Sequence, residues 1–111
     1  MELNDFVDAE YINLITYRKD STPVTTPVWV ADYSNSLVIT TSLNAGKVKR
    51  IRNNGKATIY VTNQSGSKKL SDSLDLQASL IEESSIKKQA ADVIRKKYGL
   101  MAKVIMKGSD E

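Results

Sequence analysis

Four runs rich in β-branched residues dominate the first part of the chain, and each is followed by turn chemistry. They are INLITYR at 12–18, PVTTPVWVA at 23–31, LVITT at 37–41 and ATIYVTN at 57–63. Branched and aromatic side chains suit a pleated surface. Lys19-Asp20-Ser21-Thr22 separates the first two runs, and Asp32-Tyr33-Ser34-Asn35-Ser36 separates the second from the third. Both are polar turn sequences of the kind that join antiparallel neighbours. Pro23 suits the start or edge of a strand, and Pro27 interrupts any continuous ladder. A backbone that cannot complete its ladder often lies at a bulge or beside a ligand.

Helical spacing enters twice. KVKRIRNN, 47–54, puts Val48 and Ile51 toward a core, with Lys47 and Arg50 together on another face. Asn54-Gly55 supplies residues that tolerate the left-handed geometry of a helix end. Farther on, Ile86, Ala90, Val93 and Ile94 fall on one helical face, with Ser84 or Ser85 as the cap. Lys96 and Lys97 stand where a helix dipole favours cations, Gly99 reads as a stop, and the lysine-rich face reads as solvated. FVDAEY at 6–11 reads as a short helix or turn, 71–81 holds another strand, and MAKVIM at 101–106 reads as a closing strand. The resulting order, β-β-β-α-β-β-α-β, predicts a single domain over 1–111, mainly β, in which an antiparallel barrel is decorated by helices.

Composition narrows the chemistry. The chain has no cysteine and no histidine, so thiolate chemistry, disulfides and serine–histidine catalysis are excluded. Any reaction must come from a bound cofactor, from carboxylates or from lysines. No metal site is expected. The opening MELNDFVDAEY has neither a basic leader region nor a long apolar run, so the expected location is the cytoplasm, without a membrane span.

Charge is unevenly spread. The net charge is +3, yet no acid lies between Asp32 and Asp72, an interval carrying Lys47, Lys49, Arg50, Arg52, Lys56, Lys68 and Lys69. Such asymmetry favours an anionic ligand. The interval contains SLNAGKVKR, 42–50, a small-residue loop that runs into a basic helix start. A helix N-terminus offers unpaired N–H groups and partial positive charge to an anion. Gly46 permits close backbone approach, Thr41 and Ser42 offer hydroxyls, and Lys47 and Arg50 can neutralise a phosphate. The spacing is not that of a Walker A loop. A phosphate site, a solvated basic helix face and a nucleic-acid surface all remain open on residue types alone. For nucleic acid, exposed aromatics should interleave with the cations, and only Tyr33 and Tyr60 stand near them. Trp29, in TTPVW at 25–29, reads as a core residue. Thr25 and Thr26 before Pro27 can alternatively present polar backbone groups to a flat ring.

The stretch YINLITYRKDSTPVTTPVWVADYSNSLVITTSLNAGKVKRIRNNGKATI, with RKKYG at 95–99 more loosely, resembles the pyridoxamine 5'-phosphate oxidase-like (PPOX class) family. It is most similar to the F420-dependent oxidoreductase branch. The resemblance implies a six-stranded antiparallel split β-barrel of the FMN-binding type. It also implies a homodimer with flavin-type cofactors, FMN or the deazaflavin F420, at the subunit interface. Matching positions place Lys47 and Arg50 on the cofactor phosphate, with Thr41, Ser42 and Gly46 lining the same pocket. Thr26, Pro27 and Val28 then run along the ring through backbone contacts, and Lys49 either assists the phosphate or points outward. The family usually has Ser where this chain has Ala45, and Asn-Pro where it has Asn54-Gly55. The implied function is a flavoprotein oxidoreductase that moves a hydride between FMN or F420 and a small substrate. The alternatives are a non-catalytic cofactor-binding module for storage, sensing or sequestration, and nucleic-acid binding.

Overall fold

The structure is a computed structural model that describes the backbone of residues 1–39 and 45–105 and the side chains of 1–39 and 45–98. After a 3-10 turn at Leu3–Phe6 come strands β1 (Tyr11–Tyr17), β2 (Pro23–Val28), β3 (Ala31–Tyr33) and β4 (Ser36–Val38). Helix α1 (Gly46–Asn54), strands β5 (Lys56–Thr62) and β6 (Leu74–Gln77) and helix α2 (Ser84–Ile105) follow. Four strands make an antiparallel sheet in the order β2-β1-β5-β6, and β3 and β4 form a separate hairpin.

Strand β1 lies at the centre, with Leu14 opposite Thr26 on β2 and opposite Ile59 on β5. Alternation along a strand sends Ile12, Leu14 and Thr16 to one face. There Ile12 and Leu14 join Phe6, Val28, Val30, Ala57 and Ile59 in the main core. The other face is polar. Asn13 is fully buried there and donates to the Tyr60 hydroxyl at 3.0 Å and the Gly66 carbonyl at 2.9 Å. Beside it, the Thr58 hydroxyl donates to the Asp75 carboxylate at 2.7 Å.

The β3–β4 hairpin turns through Ser34 and Asn35, both at positive φ. Two consecutive left-handed residues are what a tight two-residue hairpin turn needs. Its inner residues Ala31 and Val38 pack with Ala90, Ile94 and Tyr98 of α2 in a second core. Helix α1 buries Val48 and half-buries Ile51, as their spacing anticipates. It ends at Gly55, which adopts φ +71 and donates its N–H to the Ile51 carbonyl at 2.8 Å. A proline cannot take that φ, so this helix end differs in kind from an Asn-Pro terminus.

Several expectations need correcting. The 23–31 run breaks at Trp29-Val30, where the Val30 N–H turns to the Tyr98 hydroxyl at 2.8 Å instead of a ladder partner. MAKVI, 101–105, is helix and not strand, since α2 continues to Ile105; Met106 lies outside the described residues. A short apolar run reads equally as strand or helix, and one glycine costs a helix only about 1 kcal/mol, so Gly99 does not stop it. Ser84 and Ser85 lie inside α2, and the Lys87 N–H bonds to the Glu83 carbonyl at 3.0 Å, one turn from the start. Strand β4 takes only the beginning of LVITT, and Thr40 and Thr41 lie outside the described residues.

The architecture is therefore mixed rather than mainly β, because α2 alone runs for 22 residues. An antiparallel sheet with two helices is present. Among the described residues no strand pairing closes the sheet into a barrel. No helix among them is long and apolar enough to cross a membrane.

Candidate functional site

The sheet's core face and the start of α1 meet at Thr16. This residue is 1% exposed, at the end of β1, on the same face as Ile12 and Leu14. A buried hydroxyl requires a partner, and the Nε–H of Arg50 supplies one, donating to Thr16 Oγ1 at 2.6 Å. One helical turn earlier, the guanidinium rests against Gly46. A Cβ built on Gly46 would lie 2.8 Å from Arg50 Nη1 and 3.5 Å from both Cζ and Nη2. The first amide bonds of α1 run from the Val48 and Lys49 N–H groups to the Ala45 carbonyl, at 3.1 and 3.4 Å. The amides of Gly46 and Lys47 precede them, at the electropositive end of the helix. Ala45 occupies the cap position and supplies no side-chain cap.

The proposed cofactor residues distribute unevenly around this point. Gly46 and Arg50 come together, with Lys47 half-buried beside them in the first turn. Thr26 is half-buried on β2, on the same sheet face as Thr16 and one register step away diagonally. Val28 has its side chain in the core, so only its backbone faces outward. Pro27 lies on the opposite face, where its ring approaches Gly66. Lys49 is exposed and points away from the core-facing residues Val48 and Ile51. Thr41 and Ser42 lie outside the described residues. Strand β2 is an edge of the sheet, so part of its backbone is left without a strand partner.

Sequence reasoning passed over Thr16, reading it as an ordinary strand residue. The available signal was its alternation with Ile12 and Leu14, which puts a polar group at a core position.

A cavity of about 690 Å³ opens next to this site, bounded by Leu14, Ile59, Leu37, Val48 and Ile81, with Lys47 and Arg52 among its lining residues. Arg50 and the three β2 residues do not line it. Lys47 thus links the cavity to the start of α1.

A second polar cluster ties α2 to the rest of the molecule. Lys97 Nζ donates to the carbonyls of Val7, Ala9 and Val30 at 2.9, 2.7 and 2.6 Å. The Tyr98 hydroxyl accepts the Val30 N–H and has the Glu10 and Val30 carbonyls at 2.8 and 2.9 Å for its own proton. Burial holds the Lys97 ammonium below the ordinary lysine range, against the charges of Asp8 and Glu10, which act the other way. Burial also pushes the Tyr98 phenol up, with the Val30 hydrogen bond opposing it. Lys97 is therefore an internal fastener and not part of a solvated face. Trp29 is not a core residue either: it is 42% exposed and stacks on the buried Tyr98 ring, centroids 4.4 Å apart.

Comparison of the chain with protein-family models, curated proteins and solved structures finds no match in any of the three.

Proposed function

We propose that the chain binds a phosphate-bearing flavin-type cofactor, FMN or F420, and works as an oxidoreductase on a small substrate. The observation that carries this reading is the Arg50 guanidinium, bonded to buried Thr16 and resting on Gly46 at the start of α1. A guanidinium beside the first amides of a helix suits a phosphate, and Lys47 adds a second cation in the same turn. In this reading Thr26 and the Pro27–Val28 backbone flank the ring along the β2 edge, and Thr41 and Ser42 complete the phosphate loop. In this reading the sheet and the hairpin are parts of a split barrel, and the cofactor is shared across a homodimer.

The cofactor would supply hydride chemistry, which protein side chains do not supply. The chain's own residues anchor the phosphate, orient the ring and shield it from water.

Titrating the purified chain with FMN and with F420 tests the proposal, and binding of one of them is expected. Lys47→Ala and Arg50→Ala should each weaken that binding by about 1–3 kcal/mol, the usual worth of a charge-assisted hydrogen bond. Binding of neither cofactor overturns the proposal. Binding unchanged in both variants puts the phosphate elsewhere.

A further inference from the structure

We infer that Thr16 is a positioning residue for the anion site: with Gly46 it fixes the Arg50 guanidinium in a phosphate-receiving orientation. The inference rests on the cofactor reading given above and adds a residue to that site.

Arginine is a long, rotamer-rich side chain, and ordering it on binding costs affinity. At Arg50 this ordering is largely made in advance. Its Nε–H is committed to Thr16 Oγ1 at 2.6 Å, and Thr16 is 1% exposed on the rigid central strand of the sheet. One bond alone would let the planar group rotate about its contact. Gly46 limits that rotation by giving the plane a surface without a side chain, so Nη1, Cζ and Nη2 all lie within 3.5 Å of where a Cβ would be. Among the described residues Arg50 makes only the Nε bond, which leaves Nη1 and Nη2 to present as a fork. They lie at the first residue of α1, ahead of the first intrahelical amide bonds. Fork and helix end then converge on one small anion, the geometry in which arginine outperforms lysine.

Two substitutions separate this role from ordinary packing. Thr16→Val keeps the branched shape and removes the acceptor. Gly46→Ala adds a methyl 2.8 Å from Nη1, the movable tip of a flexible side chain, so the guanidinium shifts and the fold does not. A cooperative melt of the variant checks that the fold is retained.

The experiment measures dissociation constants of the full chain for FMN and for riboflavin, which lacks the phosphate. If wild type prefers F420, that cofactor and its phosphate-free deazaflavin replace them. Thr16→Val and Gly46→Ala should each weaken the phosphate-bearing ligand by about tenfold and leave the phosphate-free ligand unchanged. Thr16→Ser, which restores the acceptor, should recover most of the loss. Equal weakening of both ligands, or no weakening of either, overturns the positioning role while leaving the cofactor reading intact. A wild-type chain that binds none of these ligands overturns the cofactor reading and this inference with it.

Discussion

Above neutral pH, Lys97 and Tyr98 pull stability in opposite directions, because burial disfavours the ammonium of one and the phenolate of the other. The Lys97 pKa is depressed when folded, so the unfolded chain keeps that proton to higher pH. Its contribution is fully present above the ordinary lysine value of 10.5 and is lost as pH falls through the lower folded value. The Tyr98 pKa is raised when folded. Its contribution is fully present below the ordinary value of 10.0 and is lost as pH rises through the higher folded value. Urea midpoints should therefore climb with pH below 10.0, where only Lys97 acts, and fall above 10.5, where only Tyr98 does. Lys97→Met should flatten the climb. Tyr98→Phe should flatten the fall, and should also cost about 1–3 kcal/mol at neutral pH by orphaning the buried Val30 N–H. Midpoints that are flat across this range in wild type would contradict the assignment. None of this was legible locally, since residues 30 and 98 meet only in the fold.

Elements whose identity depends on local chemistry were readable in the sequence, and those that depend on distant partners were not. β1 and β5 follow from their branched residues. Helix α1 follows from the spacing of Val48 and Ile51 and from the Asn54-Gly55 stop. Trp29 was misjudged because its ring is covered from one side by a tyrosine of α2, a contact that no local pattern encodes. MAKVI was misjudged because five apolar-rich residues satisfy either period. At the anion site, Gly46 and Arg50 were visible as a basic helix start, whereas Thr16 acquires its role only when α1 docks on β1. The α1–β5 junction gives a test at this scale. Gly55 has φ +71, and a Cβ there would lie 2.9 Å from the Ala78 carbonyl oxygen and closer still to Gln77. That same Ala78 donates its N–H to the Gly55 carbonyl at 2.7 Å, holding the residues after β6 against the helix end. Gly55→Ala should destabilise by about 1–3 kcal/mol from left-handed strain and crowding. Gly55→Pro should cost more, since it also deletes the N–H bond to Ile51. Urea denaturation of both variants measures this, and an unchanged midpoint for Gly55→Ala would contradict the geometry.

At the scale of the whole molecule, the proposed homodimer is a claim about how an open sheet is completed. Edge strands invite a second copy to add on through backbone hydrogen bonds. Here β2 carries Pro23 and Pro27, which cannot donate, and β6 is only four residues long. Both edges of the four-stranded sheet are therefore blunted against strand addition, and the homodimer reading places the second copy on a face. A cofactor shared between copies would then stabilise the pair as well as the fold, because it binds only the assembled site. Ligand at a hundred times its dissociation constant stabilises the state it binds by about 2.7 kcal/mol, enough to raise a small domain's melting midpoint by several degrees. Sedimentation or light scattering at micromolar concentration should give twice the 12.3 kDa chain mass. The melting midpoint should rise with protein concentration, and should rise further when the cofactor is added. A monomer that still binds cofactor tightly would remove the shared site and leave the phosphate anchor at Arg50 standing alone.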